Sequence, residues 1–192
     1  MSVRARAIGF GVVLSVAGCS DGEAPSSSEP LFRERTALID HERFELMAEA
    51  SDPFDDRPSD ASQCASSAYL AEDLGGERVF SVRTESCSYA TFVQPSLAPV
   101  RRGEFLNARL WHFALNAPDA AEAHVVAGID ETGDGLEERI PIPAEGAMIR
   151  KSWQAPRDYP AGTPVYFHVH NHGNNEYLLI ELSTGSTDPS AQ

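Results

Sequence analysis

Near the C-terminus the chain reads PVYFHVHNHGNN, which places His168, His170 and His172 at alternate positions. Imidazole nitrogen is a ligand for zinc and copper, and it moves protons near neutral pH. Alternate residues of an extended strand share a face and stand ~6.6 Å apart along it, so adjacent imidazoles in such a row can converge on one ion. Along Pro164–Asn171 the apolar set Val165, Phe167 and Val169 belongs in the core. Tyr166, His168, His170 and, if the strand continues, His172 then take the other face. That row is a metal site, part of a catalytic cup, or the solvated side of a strand. The metal reading requires His124 or His112 to come and meet it.

His124 lies in EAHVVAGI between Ala123 and Val125, so it points away from that strand's apolar set. His112 has two readings. If Phe105, Trp111 and Phe113 face the core it faces out; if Leu106, Ala108 and Leu110 do, it faces in. Aromatic rings on an open surface could instead stack on a sugar, and Tyr166 beside the histidine row is the first candidate, with Trp111 and Trp153 as further ones.

Two known patterns come close. Gly162, five residues, His168-Val169-His170, then Glu176 and Gly185 resembles the cupin metal motif. The resemblance implies metal roles for His168, His170 and Glu176. The glutamate comes one residue late, the last glycine is displaced by two, and 16 residues after Glu176 leave no room for the second half of a cupin barrel. Asp130-Glu131-Thr132-Gly133-Asp134-Gly135 begins like a calcium loop, but Thr132 stands at position three and Pro141 at position twelve; a hairpin turn is the expectation.

The elements that must position these residues are strands. From about residue 63 the hydropathy alternates with period two and turns recur every ten residues or so. Strands are expected over 78–83, 89–93, 104–114, 122–129, 139–142, 148–154, 164–171 and 176–182. About eight strands without intervening helices predict an all-β fold, an antiparallel β-sandwich over 63–186. Val100 to Gly103 before a long strand, then PAGTPVYFHV, a turn and EYLLIEL, resembles the jelly-roll domains of carbohydrate-binding and galactose-binding-like modules. The resemblance spans about residues 90–183 and implies a binding module. Ahead of it, Leu31, Phe32, Leu38, Ile39 and Leu46 fall on one helical stripe, predicting one short helix within 31–49. SDPFDDRPSDAS is expected to be an acidic loop closing the segment 31–62, and 187–192 a disordered tail.

The N-terminus has the parts of an export signal: Arg4 and Arg6, the apolar run Ala7–Val16, then small residues ending at a cysteine. Val16-Ala17-Gly18-Cys19 resembles the lipobox of bacterial lipoproteins. The resemblance implies that 1–18 is a signal peptide, that Cys19 is acylated and anchors the chain to a membrane, that 19–30 is a flexible tether, and that the protein resides in the cell envelope, by family habit the outer membrane. Loss of the signal removes two arginines and no acids, taking the formal charge from −14 to about −16. Such a surface repels phosphate backbones, and nucleic-acid binding is set aside. In an oxidising compartment the two remaining cysteines, Cys64 and Cys87, are expected to form a disulfide.

No nucleophile elbow, glycine-rich phosphate loop or dinucleotide fingerprint is present, so no catalytic residue is assigned. The expected function is a lipid-anchored envelope protein whose β-sandwich binds a carbohydrate or an envelope protein without catalysis. The alternatives are a metal-binding or cupin-like protein, with zinc or copper as the only cofactor in view, and a structural lipoprotein with no small ligand.

Overall fold

The computed structural model describes residues 35–185 except Asp60 and Gln63. The expected signal peptide, Cys19, the tether and the C-terminal tail lie outside the described residues. Among the described residues no helix is long and apolar enough to cross a membrane.

Two antiparallel sheets pack face to face. The strands are β1 (Thr36–Ala37), β2 (Glu45–Leu46), β3 (Tyr69–Leu74), β4 (Glu77–Arg83), β5 (Tyr89–Pro95), β6 (Phe105–His112), β7 (Ala121–Ile129), β8 (Asp134–Ile142), β9 (Ala147–Gln154), β10 (Pro164–His170) and β11 (Glu176–Thr184). One sheet runs β3-β4-β11-β6-β9 with β1 against β11; the other runs β2-β5-β10-β7-β8. The sandwich expected from the alternation is present. Strand β3 was not expected, and β8 begins at Asp134 rather than at Arg139.

Alternation decides what enters the core. Phe80, Val82, Leu106, Leu110, Tyr177, Leu179 and Leu182 of one sheet meet Phe92, Val125, Ala127, Val165, Phe167 and Val169 of the other. Residues of opposite parity therefore face outward on both sheets. In β11 the register shifts between Leu179 and Glu181, so Ile180 and Glu181 both turn outward before Leu182 re-enters the core.

The described part of the expected helix within 31–49 is not helical. It forms the two short strands β1 and β2 around a 3-10 turn at His41–Arg43. Leu38 and Ile39 are both buried, because the segment crosses from one sheet to the other: Leu38 N donates to Leu182 O and Met47 N to Thr91 O. The apolar residues meet two sheets at an edge, which a single helical stripe does not describe.

The β10–β11 turn holds a buried polar knot. Asn171 donates to Thr84 Oγ1 (2.7 Å), Asn175 donates to Asn171 Oδ1 (2.9 Å), and Tyr177 OH donates to the same oxygen (2.6 Å). Gly173 has φ 89°, and a Cβ there would sit 2.2 Å from Asn116 O. This knot ends β10 at His170 and turns Asn171 inward.

Candidate functional site

The outward residues of the β2-β5-β10-β7-β8 sheet include Tyr89 and Thr91 of β5, Tyr166, His168 and His170 of β10, and His124 of β7. Strand register sets His124 directly opposite His170, with Val126 opposite His168. His124 thus comes to meet the β10 row, and the His124 and His168 ring centroids are 5.2 Å apart. His112 does not. It lies on β6 in the other sheet, buried beside the core, because Leu106, Ala108 and Leu110 take the inward face. His172 is exposed beyond the strand end, although its ring lies 5.3 Å from that of His170. Glu176, the cupin-like glutamate, is on β11 and accepts hydrogen bonds from Ser81 and Arg83, far from a shared ligand position.

The row is covered over Tyr166 and His168 and partly over His170. Residues 52–58, expected as part of an acidic loop leading into the disulfide region, fold back across it as a strap. Phe54 stacks on His168 with ring centroids 4.2 Å apart, and meets Tyr166 and His124 edge to face. Thr91 donates its hydroxyl proton to Asp52, and Arg57 reaches Asp52 at 3.5 Å while lying over the Tyr89 ring. His168 is 0 % exposed and Tyr166 4 %. The strap's far end is held by the Cys64–Cys87 disulfide, which joins it to the chain entering β5.

Asp56 delivers a carboxylate into the row. Its Oδ2 lies 2.7 Å from His124 Nδ1 and 3.0 Å from His170 Nδ1, and its Oδ1 lies 3.3 Å from His168 Nε2. Burial pushes the Asp56 carboxyl up, but the His168, His124 and His170 rings crowded against it outweigh burial and hold the group far below the usual carboxylate range. Burial lowers the His168 imidazole, against the opposing pull of Asp56. On their outer sides, His168 Nδ1 meets Thr91 Oγ1 at 2.9 Å and His124 Nε2 meets Glu137 Oε1 at 3.0 Å. Asp56, Thr91 and Glu137 were not among the candidates from sequence. The one signal for Asp56 was the acidic run between Pro53 and Pro58, which reads equally well as a free loop.

The other outward surface, on the β3-β4-β11-β6-β9 sheet, is not covered by such a strap among the described residues. Trp111 points outward there. It rests half-buried on Val79, Leu178 and Ile180 beside Met148, with Phe113 42 % exposed at its edge. Along β6 and β9 the face continues into a groove lined by Arg35, Asn107, Arg109, Arg150, Ser152 and Glu181. Arg109 is held by Glu77 and Glu181, Arg35 by Glu181, and Ser152 donates to Asn107 Oδ1 (2.7 Å). Trp153 faces the other way, packing against the core opposite Leu106. Of the three expected stacking residues, Trp111 alone is on an open surface: Tyr166 lies under Phe54 and Trp153 between the sheets. The Asp130–Gly133 segment is a turn between β7 and β8, with Asp130 at φ 70° and paired to Arg157, as expected of a hairpin.

No protein-family model matches this chain, and no curated protein matches it. Solved structures of similar fold include a CBM4 structure (13 % identity, TM-score 0.37, over 60 % of this chain and 88 % of that one). A second is TmCBM61 in complex with β-1,4-galactotriose (8 %, TM-score 0.46, over 79 % and 99 %). A third is a family 29 carbohydrate-binding module (10 %, TM-score 0.39, over 82 % and 99 %). At these values the likeness carries no argument of its own; the antiparallel β-sandwich rests on the strand pairing of this chain.

Proposed function

We propose that the chain is a glycan-binding module of the bacterial cell envelope, anchored through an acylated Cys19 and binding sugar on the outward face of the β3-β4-β11-β6-β9 sheet. The observation that carries this is Trp111 lying on an apolar bed next to the polar groove. Sugar rings present a flat C–H face and an edge of hydroxyls, so they are recognised by an aromatic plane beside a few fixed polar groups. The groove supplies guanidinium donors, Arg150 foremost, and the Ser152 hydroxyl oxygen as an acceptor. Arg109 is already oriented by two glutamates, whereas Arg150 is exposed and has no ion-pair partner among the described residues. On the opposite face the strap covers the histidine row, so Tyr166 is not open to a sugar ring.

Retardation in native gels containing a panel of microbial and plant polysaccharides tests the reading. At least one polysaccharide should retard the protein. An aromatic anchor contributes ~2 kcal/mol, so Trp111→Ala should weaken that interaction about 30-fold, while Tyr166→Phe leaves it unchanged. Retardation by none, or equal retardation of Trp111→Ala, refutes it. Mass spectrometry of the membrane-extracted N-terminus tests the anchor; an unmodified Cys19 refutes that part.

A further inference from the structure

We propose that Asp56, His124 and His168 form a binding site for one divalent transition-metal ion of the zinc class, a site separate from the glycan face. The three side chains each offer a ligand atom, and these atoms all lie within 4.8 Å of one another. Two rings come from adjacent paired strands of a rigid sheet, and the carboxylate comes from the strap laid over them.

The proton inventory points to a cation. Thr91 has one hydroxyl proton, and it goes to Asp52, which is acceptor-only as the carboxylate facing Arg57. Thr91 Oγ1 must then accept from His168, so Nδ1 of that ring carries a proton. In the neutral ring Nε2 is a bare lone pair, and it faces Asp56 Oδ1 at 3.3 Å. Both atoms are buried and neither has a hydrogen-bond partner among the described residues. Two buried acceptors aimed at one another repel unless a positive charge lies between them. Zinc bound at about 2.0–2.1 Å to tetrahedral ligands spaces neighbouring donors at ~3.3–3.4 Å, and the Asp56–His168 pair already has that spacing.

The outer sides of the rings agree. A metal-bound histidine donates its remote N–H to a carboxylate, carbonyl or hydroxyl that fixes its tautomer. His168 does so to Thr91, itself held by Asp52, and His124 has Glu137 at 3.0 Å. Two imidazoles and one carboxylate favour zinc or copper over calcium or magnesium, which take oxygen ligands. A recess between the strap and the β7–β8 turn, lined by Phe54, Asp56, His124, Glu131 and Glu137, gives an ion a path in. Asp56 is the only ligand not on the sheet, so an ion here would staple the strap to the sandwich.

The test uses the full chain purified without a histidine tag, stripped with chelator and titrated with zinc or cobalt(II). One equivalent should bind, with cobalt giving tetrahedral visible absorption and amide exchange at 54–57 slowing. Asp56→Asn and His168→Gln should each lower zinc affinity at least about 100-fold, and Glu137→Gln, on an exposed side chain, about 10–100-fold. His172→Ala should leave stoichiometry and affinity unchanged. Circular dichroism shows that each variant retains its β-structure, and Glu137→Gln keeps the test decisive if a buried variant does not fold. Binding below a tenth of an equivalent by folded protein, or affinity indifferent to Asp56→Asn and Glu137→Gln, overturns the proposal and leaves a proton as what bridges His168 and Asp56.

Discussion

The disulfide anchors the chain just beyond the strap, and its removal has a calculable effect. Cys64 and Cys87 are separated by 23 residues, so the chain-entropy model gives about 3.5 kcal/mol for closing that loop in the unfolded chain. Both cysteines are buried, and Ser62 Oγ donates to Ser86 O (3.1 Å) beside the bridge, so native contacts persist when it is lost. Cys64→Ala/Cys87→Ala keeps both positions apolar and isolates the constraint. With a urea m-value of about 2 kcal/mol/M, the unfolding midpoint should fall by about 1.7 M. Reduction of the unaltered protein should match the double variant, and dithiothreitol should not move the variant further. Amide exchange should quicken first over 52–62, because the bridge ties that segment to the entrance of β5. A midpoint shift below about 0.5 M, or loosening confined to the β6–β9 half, would refute the view that the bridge holds the strap.

Phe54→Ala should destabilise the fold by ~2 kcal/mol, about half the cost of truncating a fully buried phenylalanine, and should expose the His168 ring to solvent; denaturant melts and imidazole NMR measure both effects. Acid should weaken the metal-free fold in two stages. Below pH 6.5, the ordinary value for histidine, the unfolded chain takes up a proton that buried His168 resists, so stability falls as pH drops. Below 3.8 the unfolded chain likewise protonates its counterpart of Asp56 while the native carboxyl stays ionised, and stability falls further. Urea midpoints between pH 8 and 3 check this; His168→Gln should abolish the first stage, and a midpoint that rises on acidification contradicts it.

How far the sequence was legible follows from where each signal resides. Alternation is local, so Val165, Phe167 and Val169 reveal the inward face of β10, and Ala123 and Val125 place His124 on the outward face of β7. The same rule left His112 open, because β6 carries large apolar residues on both parities. Only the packing of Leu106, Ala108 and Leu110 between the sheets resolves it, and the bed of Val79, Leu178 and Ile180 explains why Trp111 can lie outside. Strand β3 was missed because YLAEDL has no β-branched residue, and its pairing with β4 across Gly75-Gly76 supplies what propensity lacks. Asp56 was illegible for a different reason. Its role depends on the strap folding back over a sheet whose strands lie 35 to 114 residues later, and nothing local in PFDDRP encodes that return. The sequence therefore leaves the row open between a metal site and a solvated face, whereas His124, His168 and His170 form a cluster roofed by the strap.

The most direct measurement of the central claim is amide chemical-shift mapping of the protein titrated with an oligosaccharide from whichever polysaccharide retards it. The glycan-binding account expects shifts concentrated at 107–111, 148–152 and 178–181, with the Trp111 indole among the largest, and their loss in Trp111→Ala. Shifts concentrated instead on the strap and β5, or saturating shifts that survive Trp111→Ala unchanged, would contradict it.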